Sequence, residues 1–255
     1  TQGVNWLTEN AIRFHWRKNP AEVVFWQKGS MWMCCSGGER MAPFIMFSKE
    51  LKAMAVTISE ILFGRGVPFD AVHDYTVYVD GKLRVDGARS FLGSRGIRLP
   101  NGEVRALASR KDELLLALMR RGRVDTYAGS VRYVHAARDA GLRTAVVSAS
   151  KHCLEALTSA GIAELFDARI DGNVAAAEHL AGKPAPDSYL AAAHAVGVAP
   201  AEAVVFEDAL SGVEAGRAGH FGYVVGVDRV GQSAELRRHG ADVVVTDLAA
   251  LLVEP

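Results

Sequence analysis

The chain has 255 residues, 49% of them hydrophobic, and its 29 basic side chains are balanced by 29 acidic ones. That length can bury a large core, while a net charge of zero offers no electrostatic footprint for nucleic acid or an anionic membrane. No apolar run reaches the roughly 20 residues of a membrane span, and the three cysteines, Cys34, Cys35 and Cys153, form neither a disulfide framework nor a zinc pattern.

The composition changes along the chain. Residues 1–69 contain no Asp, all four Trp precede residue 33, and five of the six Met precede residue 55; from about Arg65 the chain is rich in Ala, Arg, Val, Gly and Asp. Glu9, Arg13, Arg17 and Lys18 stand where a secretory leader would carry its apolar centre, so the protein is expected in the cytoplasm. Val23-Val24-Phe25 reads as a strand running into Trp26-Gln27-Lys28-Gly29, and Phe44–Phe47, followed by Ser48 and Glu50, is its rival. The early Trp, Met and Cys residues read as core or loop filling. Ala88–Ser94 and Lys111–Arg121 read as helices between Gly- and Pro-punctuated loops, with no strong strand pair. A helical cap over residues 41–124 is therefore expected, inserted into a core made of residues 1–40 and 125–255.

The C-terminal half alternates strand and helix. Val131–Ala140 is helical and stops at Gly141; Arg143–Val147 is a β-branched run; Ser150–Ala160 is helical up to Gly161. A short strand, Phe166–Ile170, precedes an Ala-rich helix, Asp187–Val196, which has Pro184 and Pro186 before it and Gly197 after it. Ala203–Phe206, Tyr223–Val227 and Asp242–Val245 read as strands, Leu210–Ala218 and Leu248–Val253 as helices. Continuously apolar strands alternating with helices predict an α/β fold, a Rossmann-like parallel sheet covered on both faces, with a ligand site at the carboxyl ends of its strands.

Three groups stand at those ends. Ser148-Ala149-Ser150-Lys151 joins a hydroxyl to backbone N–H groups that open a helix, an anion-binding arrangement; Ser150 also suits a helix N-cap. Lys183, between Gly182 and Pro184-Ala185-Pro186, is an ammonium on a stiff loop before a helix. Glu207-Asp208 brings two adjacent carboxylates to the end of a buried strand, a place where a hard cation such as Mg²⁺ relieves their repulsion. Each has an ordinary reading too: a capping serine, a surface lysine, a capping acid beside a solvated one.

Together VVSASKH, GKPAPDSYLAAA and VVFEDALSGVEAGRAG resemble the haloacid dehalogenase (HAD) superfamily, most closely its β-phosphoglucomutase-like branch, from about Gly66 to the C-terminus. The resemblance implies that Ser148 and Lys183, with Ala149, Ser150 and Lys151 around them, bind a transferring phosphoryl group, and that Asp208 with Glu207 holds Mg²⁺. Tyr78–Gly87 is similar to the branch's cap segment for substrate recognition, which implies that Arg84 grips a distal phosphate; Lys111 resembles a second cap contact, or else belongs to a solvated face. The implied activity is Mg²⁺-dependent phosphoryl transfer on a small phosphorylated sugar, as phosphatase or phosphomutase, by a monomer.

The family's chemistry begins with an aspartate nucleophile in a hydrophobic-Asp-x-Asp-Gly motif upstream of the cap. No Asp precedes Asp70. The frame around Val23–Gly29 puts Trp26 and Lys28 at the two aspartate positions, with Lys28 then expected near Glu207 and Asp208. Asp74 lies inside the cap-like match and is a poor nucleophile. The alternative to an enzyme is thus an inactive HAD-fold protein that binds a phosphorylated ligand.

Overall fold

The computed structural model describes residues 30–35, 70, 73–121 and 126–252. Six parallel strands form one sheet in the order β3-β2-β1-β4-β5-β6. They are β1 (Ser30–Cys35), β2 (Arg143–Ser148), β3 (Ala168–Ile170), β4 (Ala203–Glu207), β5 (Tyr223–Val227) and β6 (Val243–Val245). Chain order reverses direction between β1 and β4, so the crevice beyond their carboxyl ends is where an open α/β sheet takes a ligand.

The helices are α1 (Arg84–Ser94), α2 (Asn101–Arg121), α3 (Ala128–Asp139), α4 (Cys153–Ala160), α5 (Gly172–Ala177), α6 (Asp187–Val196), α7 (Leu210–Ala218) and α8 (Ser233–Arg238). Leu248–Leu251 forms a 3-10 turn and Tyr75–Val79 a π-helical one. Neighbouring strand residues feed opposite layers. Val205 and Val224 pack with Tyr189, Val213, Phe221 and Leu236 on one face, whereas Phe206 and Val225 pack with Tyr133, Val134 and Leu248 on the other. Edge-on aromatic pairs anchor each layer, Tyr189 with Phe221 and Tyr133 with Phe206.

Several boundaries follow local chemistry. Both α4 and α6 end on a left-handed glycine, Gly161 at φ 72° and Gly197 at φ 73°, which only glycine adopts without steric cost. At α5, Asp171 accepts hydrogen bonds from the Asn173 and Val174 N–H groups, the usual work of an N-cap carboxylate.

The central strand departs from expectation. It is Ser30–Cys35, paired residue by residue with β2 from Ser30↔Arg143 to Cys35↔Ser148. The strand expected at Val23–Phe25 and its rival at Phe44–Phe47 lie outside the described residues. The signal was present: Ser30–Cys35 is a short apolar run between Gly29 and Ser36-Gly37-Gly38, turn residues that commonly bound a strand. Reading its Trp, Met and Cys residues as filling obscured it. Among the described residues, no helix is long and apolar enough to cross a membrane.

Candidate active site

Ser148 ends β2 beside Cys35 of β1 and is buried. Its Oγ accepts the Ser150 N–H at 3.1 Å, and Ser150 Oγ in turn accepts the His152 N–H at 3.1 Å. These bonds hold residues 148–152 in a turn, so α4 starts at Cys153, with His152 as N-cap. Ser150 is therefore not the helix cap that its position suggested. The turn is also fastened to the start of α5: Gly172 N–H donates to Ser150 O, and Asn173 Nδ2 donates to Lys151 O. A Cβ at Gly172 would lie 2.7 Å from Ala149 O, so this approach requires glycine. Ala149 is half-buried and Lys151 exposed.

Lys183 is buried beside Glu207, which has no exposed surface. The Lys183 ammonium lies 2.8 Å from Glu207 Oε2 and sits over the Tyr189 ring. Tyr189 donates its hydroxyl proton to the same oxygen at 2.6 Å. Glu207 Oε1 accepts the N–H groups of Asp208 (3.1 Å) and Ala209 (2.8 Å). A buried charge needs such complete pairing. The first turn of α7 closes over it, since a Cβ at Gly212 would fall 2.1 Å from Glu207 Oε2.

Glu207, expected beside Asp208 as a metal ligand, has both carboxylate oxygens in hydrogen bonds within the protein. Lys28, expected near Glu207 and Asp208, lies outside the described residues, as does Trp26. Among the described residues no group of three His, Cys, Asp or Glu side chains is set to hold a metal ion. A carboxylate at the end of β4, such as that of Asp208, is the kind of oxygen donor Mg²⁺ takes, with water and phosphate oxygens completing its shell.

The cap reaches the same place. Ser211 Oγ, at the start of α7, donates to Asp80 O at 2.9 Å. Gly81, at φ 71°, fits against Ser211 and Ala209 where a Cβ would lie 2.5 Å from Ser211 Oγ. Leu83 packs against Gly182, next to Lys183. The segment Asp80–Leu83 thus docks on both loops that carry the core's charged groups, and half-buried Arg84 follows it as the first residue of α1. Lys111 falls in α2, and its side chain lies outside the described part. Asp74 is committed to the cap's own structure, paired with Arg95 and accepting the Asp70 N–H, which removes it as a nucleophile.

Sequence reasoning missed three residues here. Tyr189 completes the Glu207 shell. Lys82 donates to Ser90 Oγ at 2.8 Å; burial lowers its pKa, against the opposing pull of Glu214 and Asp86. Gln232, from the loop after β5, donates to Asp208 O at 2.8 Å. A cleft of about 820 Å³ runs between cap and core, lined by Thr76, Lys82, Pro184, Ser211, Glu214 and Gln232 among others. Tyr189 and Lys82 lay within segments quoted from the sequence, but nothing there marked them as parts of this site.

The haloacid dehalogenase-like hydrolase family model matches residues 45–220. A β-phosphoglucomutase of Mycobacterium bovis is 52% identical over 198 residues, covering 73% of this chain and 76% of that protein. The chain belongs to the haloacid dehalogenase-like hydrolases, in their β-phosphoglucomutase-like branch. A Mycobacterium tuberculosis β-phosphoglucomutase matches to the same extent. The fold is likewise that of the Clostridium difficile β-phosphoglucomutase crystal structure, with a TM-score of 0.70 and 20% identity over 88% of this chain and 92% of that one.

Proposed function

We propose that this protein performs Mg²⁺-dependent phosphoryl transfer on a small phosphorylated sugar, as a phosphatase or phosphomutase. The observation that carries the proposal is the buried Lys183–Glu207 pair at the end of β4 with Asp208 beside it, in a chain 52% identical to a β-phosphoglucomutase over most of its length. Mg²⁺, held by Asp208, would supply charge neutralisation for the phosphoryl oxygens.

The chain's own residues divide the remaining work. The Ser148 hydroxyl and the N–H groups of the Ala149–Lys151 turn bind phosphoryl oxygens. Lys183 keeps a positive charge fixed at the site, because Glu207 and Tyr189 hold it there. Arg84, on the docked cap segment, takes the distal phosphate in the bidentate geometry that suits a guanidinium. A cap seated through Asp80 and Ser211 excludes water and sets substrate choice.

A second reading has its own observation. The central strand ends at Cys34-Cys35, and no Asp precedes Asp70. The same site without an aspartate nucleophile is a phosphate-ligand-binding protein with no turnover. Phosphate release from a panel of sugar phosphates, with and without Mg²⁺, separates the two. Mg²⁺-dependent release that disappears in Asp208→Asn supports the enzyme; binding without release supports the second reading.

A further inference from the structure

Gln232 is buried at 8% exposure and is held at both ends. Its backbone N–H donates to Asp228 Oδ1 at 2.8 Å. The same oxygen takes the N–H groups of Val230 and Gly231, and Ser233 Oγ donates to Oδ2. Four donors on one carboxylate make the loop after β5 a fixed platform. From it the Gln232 amide reaches across to Asp208, where Nε2 donates to the backbone carbonyl at 2.8 Å. The amide orientation follows from the partner, since only the NH₂ end can donate to a carbonyl.

Asp208 sits on the short turn between β4 and α7, flanked by two peptide groups. Its own N–H and the Ala209 N–H are held by Glu207 Oε1. Its carbonyl is held by Gln232. Both flanking peptides are thereby clamped, and the direction in which Cα presents its carboxylate is set. The other end of the amide makes no such contact: Gln232 Oε1 is shielded from solvent and has no hydrogen-bond partner among the described residues. Native proteins rarely leave a buried acceptor idle without a reason, and the reason offered by this geometry is the contact that the donor end makes.

We infer that Gln232, anchored by Asp228, is a positioning residue that orients Asp208 for cation binding. The inference rests on the reading of Asp208 as the Mg²⁺ ligand. Groups that hold a metal ligand from behind commonly change metal affinity by about 10–100-fold when removed.

The test uses Mn²⁺ as a paramagnetic probe, titrated into the full chain and followed by electron paramagnetic resonance. Amide hydrogen exchange at Asp208 and Ala209 is measured by NMR on the same proteins before any Mn²⁺ is added. Gln232→Met keeps the length and loses the donor; Gln232→Glu keeps the shape and sets an oxygen against the carbonyl. Exchange at Val224 and Val225 of β5 reports whether each variant keeps its core. The expected result is a loss of Mn²⁺ affinity of about tenfold or more in both, larger in Gln232→Glu, with faster exchange at Asp208 and Ala209 and unchanged exchange in β5. Wild-type affinity and exchange in folded Gln232→Met, with binding lost in Asp208→Asn, overturns the inference alone. A wild-type chain that binds no Mn²⁺, or Asp208→Asn binding as the wild type does, removes the cation reading and the inference with it.

Discussion

The Lys183 ammonium and the Glu207 carboxylate meet at 2.8 Å with almost no solvent on either side chain. Such a pair is costly to break from one side, because the surviving charge stays buried. Lys183→Met and Glu207→Gln are each expected to destabilise the fold by about 3–5 kcal/mol, and the double variant Lys183→Met/Glu207→Gln by less than the sum. Urea unfolding of the four proteins measures this. Equal costs for the double variant and the summed singles would show that the two charges do not interact.

Glycine at 212 and at 81 is required for different reasons. Gly212→Ala drives a methyl group into Glu207 Oε2, and Gly81→Ala combines a φ of 71° with a clash against Ser211. Each is expected to cost about 1–3 kcal/mol. Gly212→Ala should also disturb the tyrosine environment through Tyr189, visible in near-ultraviolet circular dichroism. Gly93→Ala, where a Cβ meets nothing within 4 Å, is the matched control and should be neutral or slightly stabilising.

The acid limb of stability should carry the signature of Asp228. Burial raises its pKa, but Ser233 and the N–H groups of Gln232, Val230 and Gly231 outweigh burial and hold it below the ordinary value. A carboxyl depressed in the folded state binds fewer protons there than in the unfolded chain. Its stabilisation is therefore complete above the unfolded pKa of about 3.9 and is lost as pH falls through the folded value. Asp167 is lowered in the same sense: burial opposes, while Thr144, Arg138 and Arg143 prevail. Asp228→Asn should flatten the dependence of unfolding free energy on pH below about 4 and leave its slope near pH 7 unchanged.

Cys153 should be inert in the native protein. Burial pushes its thiol up to about 12, with Asp171 adding to the effect, and the thiolate is the reactive form. Iodoacetamide at pH 8 followed by peptide mass spectrometry should leave Cys153 unlabelled in the folded chain and label it fully in urea. Rapid native labelling would contradict its placement in the core.

Much of the core was legible because its punctuation is chemical. Gly197 gave the end of α6 and Pro184 and Pro186 its approach, and Tyr223–Val227 matches β5 residue for residue. The start of α4 was misplaced because Ser150 spends its oxygen on His152 N–H within the preceding turn, a competition between side chain and helix that spacing alone does not decide. Helix α5 was missed: a run opening on Gly172-Asn173 has low helix propensity, and its stabilising Asp171 cap was not weighed. In the candidate site, Ser148, Lys183 and Asp208 were visible as residue types at strand ends. The partners of Glu207 were not, because Tyr189 reaches it from 18 residues away through tertiary packing. Gln232 was invisible for the same reason, its contact with Asp208 spanning 24 residues.

Calorimetric titration with glucose 6-phosphate, beside unphosphorylated glucose, tests most directly whether Ser148, Lys183 and Arg84 form a phosphate site. Binding of the phosphate ester but not of glucose is predicted, weakened about tenfold or more in Ser148→Ala, which removes a hydrogen bond to a charged group. Equal affinity for both sugars, or Ser148→Ala binding the ester as tightly as the wild type, would contradict the account.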